Sequence, residues 1–192
     1  MNVIDDSEFI RDSKVPLTKK NIRLLIFAKS NINKNSVVYD IGAGTGGISI
    51  DAARNSKIVY AVEKNQTAFD ILQKNIEKFK IENIVPINSE APDGMENLPS
   101  ADVIFIGGTG GNFESIVRKS IDKLNPSGTI IITAITLQTI LNSIEIFSTL
   151  KNFSTDAIQV QINNINRIKN FDMLKAENPI FVFTAKKICN DF

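Results

Sequence analysis

The segment Val38-Tyr39-Asp40-Ile41-Gly42-Ala43-Gly44-Thr45-Gly46-Gly47 constrains the fold more than any other part of the chain. A short apolar run ends in an acid and passes at once into a loop of glycines, followed by the helix-forming stretch Ile48-Ser49-Ile50-Asp51-Ala52-Ala53. Residues without a Cβ are needed where a buried strand turns sharply into a helix, or where a ligand comes very close to the main chain. Glu63 follows about 20 residues later, at the end of the next apolar run, where nucleotide-binding α/β units hold a ribose. Strand, glycine loop, helix, strand and acid in this order predict a parallel α/β sheet that binds an adenosine ligand.

The rest of the chain repeats the alternation. A helix is predicted after Pro16, with Thr18 as its N-cap and Ile22, Leu25, Ile26 and Lys29 near one face. Strands are predicted at 37–41, 58–62, 84–87, 102–106 and 129–133, with Pro86 pointing to an edge position for the third. Asn65 is placed to cap a helix carrying Phe69, Leu72, Ile76 and Phe79 at helical spacing. Helices are also predicted at 113–124 and 136–150, and Asn125-Pro126-Ser127-Gly128 reads as a turn. Two last strands, 155–162 and 180–185, have no helical pattern between them and are expected to form a long hairpin, placing one antiparallel strand in the sheet.

Composition narrows the chemistry. A chain of 192 residues, 43% hydrophobic, fills one core, so a single domain over 1–192 is expected, with residues 1–17 as an N-terminal segment near the active site. Lys+Arg 22 against Asp+Glu 21 leaves no global basic field, so no nucleic acid partner is expected. No apolar run reaches the ~20 residues of a membrane span, and no membrane partner is expected. The acidic start Met1-Asn2-Val3-Ile4-Asp5-Asp6 lacks the plan of a signal peptide. Cys189 is the single cysteine, which excludes an intrachain disulfide or a thiolate zinc cluster and points to a cytoplasmic protein. The chain has no histidine, which removes Ser-His-Asp hydrolysis, histidine-ligated zinc and histidine general-base dehydrogenation. No protein-bound metal is expected.

Gly42, Gly44 and Gly47 satisfy the dinucleotide pattern G-x-G-x-x-G, so the glycine loop alone admits NAD. Asp40 argues against it, because a carboxylate beside a pyrophosphate is unfavourable, whereas it suits the positively charged end of S-adenosylmethionine. Gly46 completes the D-x-G-x-G-x-G loop of methyltransferases, and the terminal hairpin strand belongs with that fold. The chain is also too short for a dehydrogenase's substrate domain. From about Pro16 to Lys187 it resembles the class I S-adenosylmethionine-dependent methyltransferases. That resemblance implies a Rossmann-like α/β fold: a seven-stranded, mostly parallel sheet with one antiparallel strand and helices on both faces. Glu63 then accepts the two ribose hydroxyls, and Ser89-Glu90-Ala91-Pro92 borders the adenine.

More particular segments narrow the family. Asp6-Ser7-Glu8-Phe9-Ile10-Arg11, Val15-Pro16-Leu17-Thr18-Lys19, the first glycine loop, Phe105-Ile106-Gly107-Gly108-Thr109-Gly110-Gly111 and Asn178-Pro179-Ile180-Phe181 occur in this order. Together they closely resemble the stand-alone, decarboxylating cobalt-precorrin-6B methyltransferases of cobalamin biosynthesis; the stretch 163–177 matches least. The resemblance implies S-adenosylmethionine as co-substrate, held by Thr18, Gly42, Ala43, Gly44, Thr45, Gly46, Glu63 and Ala91. It implies methylation of carbon 15 of a cobalt-containing tetrapyrrole with loss of carbon dioxide from the ring C acetate, giving cobalt-precorrin-7. It also implies a homotetramer that works alongside a separate carbon 5 methyltransferase.

Gly108, Thr109 and Gly110 are candidates for the macrocycle, since close backbone approach and helix N-terminal amides suit a flat polycarboxylate; a plain strand-to-helix turn is the alternative. Arg11, Lys14, Lys19 and Lys20 are either its countercharge or a solvated charged stretch. Two other classes remain open. An RNA methyltransferase of the same fold would call for a basic face or an added RNA domain, and an oxygen methyltransferase for a base or metal beside its hydroxyl. No catalytic base is nominated.

Overall fold

The computed structural model describes residues 2–188. Cys189 lies outside the described residues. A helix α1 (Lys20–Ser30) precedes the alternation β1 (Val37–Ile41), α2 (Gly47–Ala53), β2 (Ile58–Glu63), α3 (Gln66–Lys78), β3 (Ile84–Asn88) and β4 (Ala101–Ile106). Then follow α4 (Phe113–Lys123), β5 (Leu124–Ala134), α5 (Leu137–Thr149), β6 (Phe153–Val160), β7 (Asn163–Ile168), β8 (Phe171–Ala176) and β9 (Ile180–Lys187).

Seven strands form one sheet in the order β3-β2-β1-β4-β5-β9-β6. β1 to β5 pair in parallel, and β9 runs antiparallel to both of its neighbours, β5 and β6. Val38, Val59, Val103, Phe105 and Ile131 project towards α1, α2 and α3. Their alternates Tyr39, Ile41, Ile104, Ile106, Ile130 and Ile132 project towards α4 and α5. Period-two alternation thus feeds two cores, one on each face, and each fully buried Ile or Phe contributes about 1.5–3 kcal/mol. The strand order reverses between β1 and β4, which opens a crevice at their carboxyl ends.

Several expectations are met at the level of single residues. β3, with Pro86, is an edge strand. Asn65 caps α3, its side chain accepting from the Ala68 N–H at 3.0 Å. Others are corrected. Thr18 is not the N-cap of α1: Lys19 holds that position without a side-chain bond. The capping acceptor comes from the N-terminal segment instead, where Asp6 Oδ1 takes the Lys20 N–H at 2.9 Å. A carboxylate there also complements the positive end of the helix.

The expected turn at 125–128 is a bulge inside β5. Pairing jumps from Leu124 to Thr129 while β4 advances only from Ala101 to Val103. The last two sheet strands are not joined as a simple hairpin either. Between them, β7 and β8 form a separate two-stranded ribbon, with Ile165 opposite Leu174 and Ile168 opposite Phe171. Lys169 makes its turn in the left-handed region, at φ 56°.

Candidate functional site

The crevice lies where two glycine segments meet. Gly42, at φ 75°, packs its Cα directly on the backbone of Gly108: a Cβ there would stand 2.4 Å from the Gly108 carbonyl oxygen. The junction is stitched by main-chain bonds, Gly107 N–H to Ile41 O at 2.9 Å and Gly42 N–H to Val62 O at 2.9 Å. A cavity of about 160 Å³ opens beside it. Gly42, Glu63, Ala91, Gly108, Thr109 and Gly110 all line this cavity, so six of the eleven candidate residues converge there.

The other candidates stand behind it. Ala43, Thr45 and Gly46 are buried, and the position of a Gly46 Cβ is filled by Leu72. Gly44 contributes its N–H to Glu63, and its Cα faces the Pro16 carbonyl. Thr18 follows Leu17, whose side chain occupies the space a Cβ on Gly47 would need. The Thr45 hydroxyl is buried with no hydrogen-bond partner among the described residues. Most glycines of the first loop are therefore required by packing of the chain on itself.

Glu63 ends β2 with only 9% of its surface exposed. Its two carboxylate oxygens are separately anchored, Oε2 by the Gly44 N–H at 2.8 Å and Oε1 by the Asn65 N–H at 2.8 Å. Each oxygen keeps a lone pair, so the carboxylate is pre-aimed for two adjacent hydroxyls. Asp40 is buried and does not line the cavity. Its Oδ2 accepts from Ser49 Oγ at 2.5 Å. Burial pushes the Asp40 carboxyl up to about 6, against the opposing hydrogen bonds from Ser49. Among charged groups, Glu63 adds to that rise.

A polar bridge joins Lys64 and Glu90 of the cavity lining to Asn112. Glu90 Oε1 accepts from Lys64 Nζ at 2.8 Å and from Asn112 Nδ2 at 3.0 Å. Hydrogen bonding to Lys64 holds the Glu90 carboxyl below its ordinary value. Asn112 occupies the N-cap position of α4 but makes no capping bond, so the first-turn amides of α4 keep no side-chain acceptor. Sequence reading passed over Lys64 and Asn112 because neither belongs to a glycine pattern; adjacency to Glu63 and to Gly111 was the available signal.

The N-terminal segment walls a separate cavity of about 450 Å³, lined by Arg11, Pro16, Leu17 and Lys19 among others. Lys20 is paired with Asp5 at 3.3 Å. Arg11, Lys14 and Lys19 have no ion pair among the described residues. No group of three or more Asp, Glu, Cys or His side chains among those residues is arranged to hold a metal ion, and no helix there is long and apolar enough to cross a membrane.

Residues 7–187 match the precorrin methyltransferase domain family. The chain belongs to that family. A relative from Sulfurisphaera tokodaii, named a probable cobalt-precorrin-6B C(15)-methyltransferase (decarboxylating), is 37% identical over 189 residues, covering 96% of this chain and 97% of the relative. Among solved precorrin enzymes, a precorrin-6y C5,15-methyltransferase from Geobacter metallireducens superposes with a TM-score of 0.89 at 30% identity, covering 96% of this chain and 97% of that one. A precorrin 8w decarboxylase from Methanobacterium thermoautotrophicum gives a TM-score of 0.90 at 31% identity over 94% of this chain and 98% of the other. A transfer-RNA methyltransferase from Aquifex aeolicus also superposes, with a TM-score of 0.71 at 18% identity, a likeness that carries the fold alone. The sheet of this precorrin methyltransferase is thus the class I methyltransferase sheet, with its one antiparallel strand at β9.

Proposed function

We propose that this protein uses S-adenosylmethionine to methylate carbon 15 of cobalt-precorrin-6B and releases the ring C acetate carboxyl as carbon dioxide, giving cobalt-precorrin-7. The observation that carries this reading is the contact between Gly42 and Gly108, which joins an adenosine-type pocket to an open glycine loop. Full-length likeness to relatives bearing that name supports it over an RNA methyltransferase.

The residues present suit the methyl donor. Glu63 offers two anchored oxygens to a ribose diol, Ala91 and Ser89 border the space next to it, and Asp40 supplies negative charge. The donor brings an activated methyl group on a sulfonium, which leaves as a thioether when an electron-rich macrocycle carbon attacks in line. This chain's own work is positioning, which explains how a protein without histidine can serve. Gly108 lets the macrocycle approach the main chain, with nothing within 4 Å of its Cβ position. The uncapped start of α4 suits its carboxylates. When the acetate carboxyl leaves as carbon dioxide, its bonding electron pair passes into the conjugated macrocycle, which a proton then neutralises.

A homotetramer fits the surface. The β7–β8 ribbon exposes Ile165 by 71%, Phe171 by 71% and Leu174 by 74%, and α5 exposes Leu137 and Leu141. A two-stranded ribbon is marginal in water by itself, so copies of the chain are the proposed cover. Carbon 5 methylation falls to a separate enzyme, and the whole reaction to the cytoplasm. The test is incubation with cobalt-precorrin-6B and S-adenosylmethionine followed by mass spectrometry. Gain of one methyl with loss of one carbon dioxide is expected; an unchanged macrocycle, with a sample that binds the donor, rejects the reading.

A further inference from the structure

Asn75, in the last turn of α3, is wholly buried, yet its side-chain amide is spent entirely on two distant stretches of backbone. Its Nδ2 donates to the Thr45 carbonyl at 2.9 Å, inside the first glycine loop. The same nitrogen donates to Ile10 O at 3.0 Å, and Oδ1 accepts from the Ile10 N–H at 2.8 Å. Both amide hydrogens and the carbonyl oxygen are therefore used. One side chain holds the N-terminal segment in a two-bond clamp and the glycine loop by a third bond.

The two stretches it joins also touch further along. The Pro16 carbonyl lies against Gly44, and Leu17 fills the space beside Gly47. Arg23 holds the same segment at its other end, donating to Ile4 O at 2.8 Å and to Asp6 Oδ1 at 2.7 Å, while its other terminal nitrogen pairs with Asp51. Between the Ile10 clamp and the Pro16 contact with Gly44, Arg11 and Lys14 are exposed, and the Gly44 N–H fixes Glu63.

We propose that Asn75 is a positioning residue for methyl-donor binding: by clamping Ile10 and the Thr45 carbonyl in one amide, it makes the N-terminal segment and the glycine loop move as a single body. The chain from Asn75 to the ligand runs through Thr45 and Gly44 to the Glu63 carboxylate. Polar groups buried this deeply cost stability unless all their bonds are met, so a fully used amide at this place is an arrangement that specifies one loop position. The proposal rests on the reading of the crevice as the methyl-donor site.

The test uses the full chain, S-adenosylhomocysteine as the probe, calorimetry, and trypsin cleavage after Arg11 and Lys14. In the wild type, the probe binds and slows cleavage of the N-terminal segment. Asn75→Ala, verified as folded by its melting transition, is expected to bind about tenfold more weakly, with probe protection of the segment lost. A purely structural role would lower the melting temperature and raise basal cleavage, but leave both the affinity and the protection ratio of the folded protein alone. Ile10→Pro is the second variant. It removes the Ile10 N–H along with a side chain that is 37% exposed, follows a Phe9 already extended at ψ 142°, and is expected to weaken binding about threefold in the same way. It decides the matter if Asn75→Ala does not fold. A folded variant with wild-type affinity overturns the proposal, and so does probe protection that survives substitution. A wild type that binds no probe rejects the donor-site reading and this proposal with it.

Discussion

The two glycine segments differ in what occupies the space where a Cβ would stand. In the first, Gly42 meets the Gly108 backbone, Gly46 meets Leu72 and Gly47 meets Leu17. In the second, neither Gly108 nor Gly111 has an atom within 4 Å of that position. Glycine in the first segment is a requirement of the folded chain, met with or without a ligand. In the second, a Cβ on Gly110 would meet the flexible Lys64 side chain at 2.4 Å, while Gly108 and Gly111 leave open space. A glycine-rich pattern is therefore two signals in one, and only contact geometry separates them.

Substitution should separate them most sharply at the junction. Gly42→Ala forces a side chain into φ 75° and against a carbonyl at 2.4 Å, where neither partner is a flexible side chain. It is expected to cost about 4 kcal/mol in urea denaturation. A loss under about 1 kcal/mol would mean that the two segments do not bear on each other.

Asp40 offers a pH test of how deeply the first segment is buried. Its folded value of about 6 lies above the ordinary 3.8, so between these values the folded chain keeps a proton that the unfolded chain has lost. The contribution is full below about pH 4 and is lost as the pH rises through about 6, by about 3 kcal/mol in the limit. The stability difference between wild type and Asp40→Asn, followed by denaturation across that window, should shift in the variant's favour as the pH rises. A flat difference would place Asp40 in solvent contact.

Glu63→Ala removes the anchored carboxylate and should weaken S-adenosylmethionine binding by one to two orders of magnitude, roughly 1.4–2.8 kcal/mol, by calorimetry. Unchanged affinity breaks the ribose assignment. Gly108→Ala sits at the other end of the scale. With nothing near its Cβ, stability should stay within about 0.5 kcal/mol of wild type, while turnover of the macrocycle falls. Destabilisation comparable to Gly42→Ala would erase the distinction between the segments.

Much of this was legible in the sequence because it is local. Apolar runs of period two, Asn65 before a helical pattern and Pro86 at an edge each carry their own physical reason. What was not legible depends on distant partners. Asp6 caps α1 from 14 residues away, displacing the nearer Thr18. The β7–β8 ribbon turns on Lys169, a residue without the usual bias of a hairpin turn, and its apolar residues face outward. Within the site, Glu63 could be found by its spacing from the glycines. Asn75 could not, because a polar residue on the inner face of a helix looks the same whether it clamps a loop or bonds its own turn.

In the proposed reaction, the crevice between the two segments brings a methyl donor to carbon 15 of the macrocycle and one carboxyl group is released. The most direct measurement supplies the wild-type protein with cobalt-precorrin-6B and a donor carrying a carbon-13 methyl group, then locates the label by NMR and counts the carbon dioxide released. A single labelled methyl at carbon 15 and one carbon dioxide for each methyl transferred are expected. Label at carbon 5, or a methylated product that retains the ring C acetate, would contradict the proposed reaction.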